Sequence, residues 1–353
     1  MPGIHPRRLA AALLAASLLA PVAIAQAPAP SATPAAITPH TPTVPEPGYK
    51  APRTSFGHPS LEGVWMSNFV LPLESSPRTP MLTLPEPAAK QMALAYAKGV
   101  GDALDRDLDP EVPELMRNVE GLALVRGERR TRAVVDPPDG KVPYNEEGKR
   151  LASRGQGMGG FDNPEERPNW ERCVRSMGQP PVFPIGPANP RYFVQTPKEV
   201  IVYTEYGAEA RIIPFTDTHR PKMFWTLLGD AIAKWEGDTL VIETVGLPDK
   251  DRVRLFPSFV VSSQATVTER YTRLSDRELL YQFTIEDPSA YTAPWTAEFS
   301  VYKAENGRLF EHACHEGNYA MHNILLGARV KDERAAAAQK VAETSPPRPK
   351  KVD

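Results

Sequence analysis

The chain has 353 residues, enough for one large domain or two ordinary ones, and its apolar fraction of 41% is that of a globular protein. Its formal net charge of −2 at pH 7 gives no reason to expect nucleic acid or an acidic membrane surface as a partner. Phosphate-binding loops and dinucleotide fingerprints are absent from the sequence, so we expect no cofactor. The sequence does not indicate an oligomeric state.

Residues 1–25 are predicted to be a cleaved signal peptide. Arg7 and Arg8 form a basic start, residues 9–20 are a short apolar run, and Ala23-Ile24-Ala25 resembles a cleavage site. About twelve apolar residues are too few to span a bilayer, so we expect no transmembrane segment. The mature protein is therefore expected in the periplasm or outside the cell, after export by the general or the twin-arginine route.

Four segments are predicted along the chain. Residues 26–54, rich in Pro, Ala, Thr and Ser, form a disordered linker after the signal peptide. The folded domain covers 55–330, and a polar tail with a short helix over 330–341 covers 331–353. Early in the domain we expect a strand over 61–65, a helix over 88–98, an acidic surface loop over 101–114, a short strand at 134–136 and a helical turn over 146–153.

The rest of the domain is predicted to be a series of short strands joined by tight turns. Turn residues such as Glu236-Gly237-Asp238 and Glu305-Asn306-Gly307 separate apolar runs, as in hairpins. The predicted strands are 191–196, 200–206, 210–215, 231–235, 239–245, 266–274, 278–286, 295–304 and 308–314. A sheet this long removes its edges most easily by closing. We therefore predict a mainly β fold: a single antiparallel calycin- or lipocalin-like barrel with a few short peripheral helices.

Alternation within the strands predicts which side chains face the barrel interior. The apolar parity contains Leu279, Tyr281, Phe283 and Ile285 on one strand and Trp295, Ala297, Phe299 and Val301 on the next. In the strand over 266–274, Glu269 shares the apolar parity of Val267 and Tyr271. A carboxylate there either faces a cavity or pairs with a cation, and the ion pair is the commoner case.

The stretch 309–322 holds three of the seven histidines, His312, His315 and His322, together with Cys314 and Glu316. We expect a strand over 308–314 and, after Gly317, a helix over 319–326 with Asn318 as its cap. Strand ends that lead into loops often present binding and catalytic groups.

The only two cysteines are Cys173 and Cys314. In an oxidising compartment they are expected to form a disulfide. The alternatives are two buried free thiols, or a nucleophilic thiol, which would need a reduced sulfur.

Several motifs resemble those of a family of uncharacterised exported bacterial proteins. They are Val135-Asp136-Pro137-Pro138-Asp139-Gly140, the run Trp235-Glu236-Gly237-Asp238-Thr239-Leu240-Val241-Ile242-Glu243-Thr244-Val245-Gly246, Val267-Thr268-Glu269-Arg270-Tyr271, Asp287-Pro288 with Tyr291-Thr292-x-Pro294-Trp295, and Cys314-His315-Glu316-Gly317-Asn318-Tyr319. The resemblance covers residues 63–329 and implies a barrel and no particular reaction. Many relatives carry His where this chain has Asp230 and Thr266. Gly63-x-Trp65 is more weakly similar to the first strand of lipocalins and other calycins.

Our first functional hypothesis is a protein that binds a small, mainly apolar molecule. Small barrels either fill their interior with side chains or enclose one such ligand. The predicted ligand-binding residues are Tyr271, Tyr281, Phe283, Trp295 and Tyr319. The alternative is that these side chains simply pack a solid core.

Two other hypotheses involve catalysis. A lyase, isomerase or hydrolase without a cofactor could use His312, His315, Glu316 and Glu269 for proton transfer at the barrel mouth. A metal-dependent hydrolase could use His312, His315 and His322 with Glu316, but their spacing matches no common zinc motif. We therefore predict no metal site, and solvated surface histidines remain the alternative for His315 and His322.

Overall fold

The structure is a computed structural model. It describes residues 40–67, 69–104, 121–154, 160–167, 169, 171–174, 178–183, 190–249, 253–254, 259–304 and 307–344. The predicted signal peptide, the linker before residue 40, most of the predicted acidic loop and the tail after residue 344 lie outside the described residues.

Fifteen strands and three α-helices occur in the described part of the chain. The strands are β1 Gly63–Met66, β2 Thr83–Leu84, β3 Leu124–Val125, β4 Glu128–Arg130, β5 Val134–Asp136, β6 Arg191–Gln195, β7 Glu199–Thr204, β8 Glu209–Pro214, β9 Asp230–Glu236, β10 Thr239–Val245, β11 Val253–Arg254, β12 Phe259–Val260, β13 Thr266–Arg273, β14 Glu278–Glu286 and β15 Trp295–Lys303. The helices are α1 Glu86–Leu104, α2 Glu146–Arg154 and α3 Ala320–Thr344.

Nine of these strands form a nearly closed antiparallel barrel, which confirms the predicted fold class. Their order around the sheet is β8-β7-β6-β1-β15-β14-β13-β10-β9, and β5 pairs with β15 beside this path. An odd number of alternating strands brings two strands of the same direction together at the seam. A parallel bridge between Phe215 and Ala233 joins the two ends of the sheet there.

The predicted interior face is confirmed. Tyr281, Phe283, Trp295 and Phe299 are all fully buried in one apolar core. The strand bounds agree with the sequence within two residues for β6 to β10 and β13 to β15, because alternating apolar residues and tight turns define these elements locally. The two-residue strands β11 and β12 are not predicted from the sequence. The predicted strand over 308–314 is wrong, since these residues form no strand in the structure.

Residues before the first strand close one end of the barrel. The side chain of Gln195 accepts a hydrogen bond from the Leu61 amide at 2.6 Å and donates to the Pro59 carbonyl at 2.9 Å. The guanidinium of Arg273 lies 5.4 Å above the ring of Trp65, which is buried in the first strand. These contacts cover the end where β6 finishes.

The described half of the predicted linker lies against the outside of the barrel. His40 and Thr43 contact the carboxylate of Glu298 on β15, and the Glu46 amide donates to the Leu274 carbonyl at 3.1 Å. Glu298 faces outward, as its parity predicts, yet it is buried because this segment and Arg130 cover it.

The C-terminal helix is longer than the sequence predicts. One continuous helix, α3, covers both the segment predicted as a helix over 319–326 and that predicted over 330–341. The side chain of Asn318 accepts a hydrogen bond from the Ala320 amide at its start, at 3.0 Å. In the part of the chain that the structure describes, no helix is both long and apolar enough to span a membrane.

Candidate functional site

The barrel interior contains a layer of polar side chains contributed by strands from different parts of the sheet. Glu269 on β13 faces inward between Val267 and Tyr271, as its parity in the sequence indicates, and is fully buried. Arg211 on β8 faces the same interior from another part of the sheet and is 4% exposed. Both charges are therefore held away from bulk water.

Arg211 and Glu269 form a bidentate ion pair. Nη1 of Arg211 donates to Oε1 of Glu269 at 3.1 Å, and Nη2 donates to Oε2 at 2.5 Å. Nη2 also donates to the hydroxyl of Thr244 on β10 at 3.2 Å. Burial opposes the charge of Arg211, but the facing carboxylate outweighs it and raises the pKa of the guanidinium.

Two tyrosine hydroxyls complete the coordination of this carboxylate. Tyr281 donates to Oε1 of Glu269 at 2.9 Å and Tyr271 at 3.3 Å. Burial, and then the neighbouring carboxylate, raises the pKa of both tyrosines well above the usual value of 10.0. Both phenols are therefore neutral hydrogen-bond donors at physiological pH, and neither is a ready base.

One end of this polar layer carries hydrogen-bonding atoms that have no partner in the described protein. Arg191 on β6 and Thr204 on β7 are directly opposite each other in the sheet, and both are buried. Among the described residues, Nε of Arg191, Nε of Arg211 and the hydroxyl of Thr204 have no hydrogen-bond partner. Buried polar groups are normally paired, so this cluster is the feature that most resembles a binding site.

Aromatic rings occupy the remainder of the described interior. Phe283 and Trp295 lie 5.6 Å apart, and Tyr281 and Phe299 lie 5.2 Å apart, all between ring centroids. Phe183 enters from the segment 178–183 and contacts the ring of Phe299 at 5.7 Å. Four of the five predicted ligand-binding residues, Tyr271, Tyr281, Phe283 and Trp295, thus line the interior together.

The remaining predicted site residues lie in a different part of the molecule. His315, Glu316 and Tyr319 are exposed, with Tyr319 at 73%. His312 is partly buried and packs its ring on that of Tyr206, with 4.2 Å between centroids, while its Nδ1 has no partner among the described residues. The side chain of Glu269 is bound by Arg211 and the two tyrosines in the barrel interior. His312 instead packs against Tyr206, which belongs to the turn between β7 and β8.

The disulfide between Cys173 and Cys314 is confirmed. It links residues 141 positions apart, and the side-chain amide of Asn318 donates through Nδ2 to the sulfur of Cys173 at 2.9 Å. The Phe310 amide donates to the Glu205 carboxylate at 2.7 Å, which fixes the His312 segment to the same β7–β8 turn. Both contacts hold an irregular segment in place where the sequence predicts a strand.

A second polar group, not anticipated from the sequence, lies at the seam of the barrel. His219 contacts Asp230 through Nδ1 at 2.9 Å and Glu243 through Nε2 at 3.2 Å. Burial opposes ionisation of Asp230, but hydrogen bonds from Arg220 and His219 prevail and lower its pKa. His219 lies in a loop, and no sequence motif surrounds it. The one signal in the sequence that could have predicted this polar group is Asp230, which stands where many members of the similar family carry His.

Within the described ranges, no cluster of three or more His, Cys, Asp or Glu side chains is arranged to hold a metal ion. The chemistry that the interior does offer is hydrogen-bond donation, from guanidinium groups and neutral phenols, within an aromatic surround. No protein-family model matches the sequence, and a comparison with curated proteins finds no significant similarity.

Proposed function

We propose that the protein is an exported small-molecule-binding protein that holds a mainly apolar or aromatic ligand in its barrel. One observation carries this proposal: Arg211, Glu269, Tyr271 and Tyr281 form a buried polar cluster in an otherwise aromatic interior. A few convergent polar groups within apolar walls are typical of sites that orient a small ligand. Burying these charges costs free energy that an apolar core of the same shape would not.

The proposed location outside the cytoplasm rests on three features. The first 25 residues have the pattern of a signal peptide, and the disulfide between Cys173 and Cys314 suits an oxidising compartment. The motifs that resemble a family of exported proteins agree with both. The calycin-like role that we propose is more specific than the barrel fold, because it requires the barrel to enclose a ligand.

Native mass spectrometry of the protein purified from its own host tests this function. We expect a fraction with added mass, from which solvent extraction releases a small molecule. Protein refolded from denaturant serves as the ligand-free control and takes up the extracted compound again. Native protein with no added mass, together with an extract containing no compound that the refolded protein binds, would contradict the proposal.

A cofactor-independent enzyme is the second candidate. It is favoured by the partly buried His312, whose Nδ1 has no partner among the described residues and whose ring covers Tyr206. With His315 and Glu316 on the same segment, it would supply proton transfer for a lyase, isomerase or hydrolase, without Glu269, which Arg211 and two tyrosines engage in the interior.

The variant His312→Ala separates the two candidates once the compound is identified. A protein that only binds its ligand in the barrel interior has no turnover to lose, and it should keep its affinity because His312 lies in a different part of the molecule. An enzyme should keep its affinity and lose turnover by about 10²–10⁴-fold. His322→Ala, on the exposed start of α3, is the matched control and should change neither quantity.

A further inference from the structure

Arg191 is a buried cation that nothing in the described protein neutralises. It is 4% exposed, and its Nε has no hydrogen-bond partner. Its guanidinium carbon lies 5.8 Å from the centroid of the Tyr281 ring. A charge in this position is costly unless something pairs with it.

The carboxylates that share this face of the sheet are engaged elsewhere. Glu269 binds Arg211 and the two tyrosines. Glu209, which is opposite Thr204, accepts a hydrogen bond from the Gly178 amide at 2.6 Å. Glu209 is only partly buried, so solvent screens its charge. The buried charges of this face, Arg191, Arg211 and Glu269, have one positive charge in excess, so the complement of this group is a monoanion.

Thr204 and Arg211 provide further donors at the same place. Thr204, on β7, is opposite Arg191 on β6. Arg211, on the next strand, β8, is opposite Val202 of β7. The hydroxyl of Thr204 and Nε of Arg211 are both buried without a partner among the described residues. Three neighbouring strands thus present unpaired donors to one region of the interior.

We propose that Arg191, Thr204 and Arg211 form a subsite for the anionic oxygen group of the bound molecule. This inference rests on the proposed binding function and specifies its ligand as a small organic monoanion, such as a carboxylate, with an apolar or aromatic body. The planar guanidinium of Arg191 suits the two oxygens of a carboxylate. The body of the molecule would lie toward Tyr271 and Phe193, whose rings are 5.1 Å apart.

Isothermal titration calorimetry with two matched pairs tests the subsite: benzoate against benzamide, and octanoate against octanamide. The members of each pair share a body and differ in the charge of the head group. We expect at least one acid to bind about tenfold to a hundredfold more tightly than its amide, the worth of a charge-assisted hydrogen bond. In Arg191→Gln this preference should disappear, and in Arg191→Lys part of it should remain.

The melting temperature provides a second readout of the same variants. Because Arg191 is unpaired in the described protein, Arg191→Gln should leave the ligand-free protein as stable as the wild type or more so. Arg130→Gln is the matched control: Arg130 is equally buried but pairs with Glu298 outside the barrel. That variant should lower the melting temperature and leave the preference for acids intact.

Three outcomes would overturn the subsite. They are equal binding of acid and amide, an acid preference that survives in Arg191→Gln, and no binding by any of the four compounds. None of these results contradicts ligand binding as such, which the extraction from native protein decides separately. A neutral compound recovered there would leave the proposed function standing and remove this inference alone.

Discussion

Both oxygens of the Glu269 carboxylate are bound by the guanidinium of Arg211, at 3.1 and 2.5 Å, in the middle of a fully buried barrel interior. Each residue alone would be an isolated charge at a costly place. Together with the hydroxyls of Tyr271 and Tyr281, Arg211 gives this carboxylate four hydrogen bonds, three to Oε1 and one to Oε2. The polar centre of the barrel therefore depends on one cross-barrel contact.

Removing one member of this pair should strongly destabilise the protein. We expect Glu269→Ala to lower the free energy of unfolding by about 3–5 kcal/mol, because Arg211 would remain buried without its partner. Urea unfolding followed by tryptophan fluorescence measures this. In the double variant Arg211→Met with Glu269→Leu, much of the loss should be recovered. A double variant as unstable as the sum of the single ones would contradict the account.

Truncation of the fully buried Trp295 should create a cavity. Trp295 is fully buried and contacts the rings of Phe283, Phe259 and Tyr291. We expect Trp295→Ala to cost about 3–5 kcal/mol in the free energy of unfolding. Met223→Ala, at an 83% exposed position, is the control and should change it by less than about 0.5 kcal/mol. A loss below about 1 kcal/mol for Trp295→Ala would show that the interior is loosely packed.

The barrel strands could be predicted because their signals are local. The strand Glu278–Glu286 alternates buried and less buried residues from Tyr281 onward, and its bounds agree with the sequence. The ion pair of Glu269 could be anticipated as a cation contact, but its partner could not be named. Arg211 is 58 residues away along the chain, and only the closure of the sheet brings the two together.

The histidine-rich segment shows where the sequence reasoning failed. The sequence predicts a strand over 308–314, but no neighbouring strand offers these residues a ladder of hydrogen bonds in the described structure. The segment is instead tethered by the disulfide at Cys314 and by the contact of Phe310 with Glu205. The unpaired donors of Arg191 and Thr204 gave no sequence signal either, since an arginine at a strand end is usually solvated.

The disulfide should contribute measurably to stability. It closes a loop of 141 residues, for which chain entropy alone gives about 4–5 kcal/mol. We expect Cys314→Ser to lower the free energy of unfolding by about 2–5 kcal/mol, and the double variant with Cys173→Ser to lose no more than that. Chemical denaturation measures the loss, and non-reducing peptide mapping of the wild-type protein should recover the linked peptides. Two free thiols in protein exported by its host would contradict the pairing.

Acid should unfold the protein partly through Glu298 on the covered outer face of β15. Burial alone would raise its pKa, but His40, Arg130 and Thr43 outweigh burial and hold the pKa below the usual 4.5. A carboxyl group whose pKa is lower in the folded state binds fewer protons there than in the unfolded chain. Its contribution is therefore complete above pH 4.5 and is lost as the pH falls through the folded value. We expect the free energy of unfolding to fall with pH in this window.

The variant Glu298→Gln should show this contribution directly in urea unfolding at a series of pH values. At pH 7 it should be less stable than the wild type, because Arg130 loses its buried partner. As the pH falls from about 4.5 through the lower folded pKa, the two proteins should converge, because the wild-type carboxyl is progressively protonated. Glu333→Gln, exposed on α3, is the matched control and should follow the wild-type curve throughout. A constant difference between Glu298→Gln and the wild type at every pH would mean that the side chain acts through packing rather than through its charge.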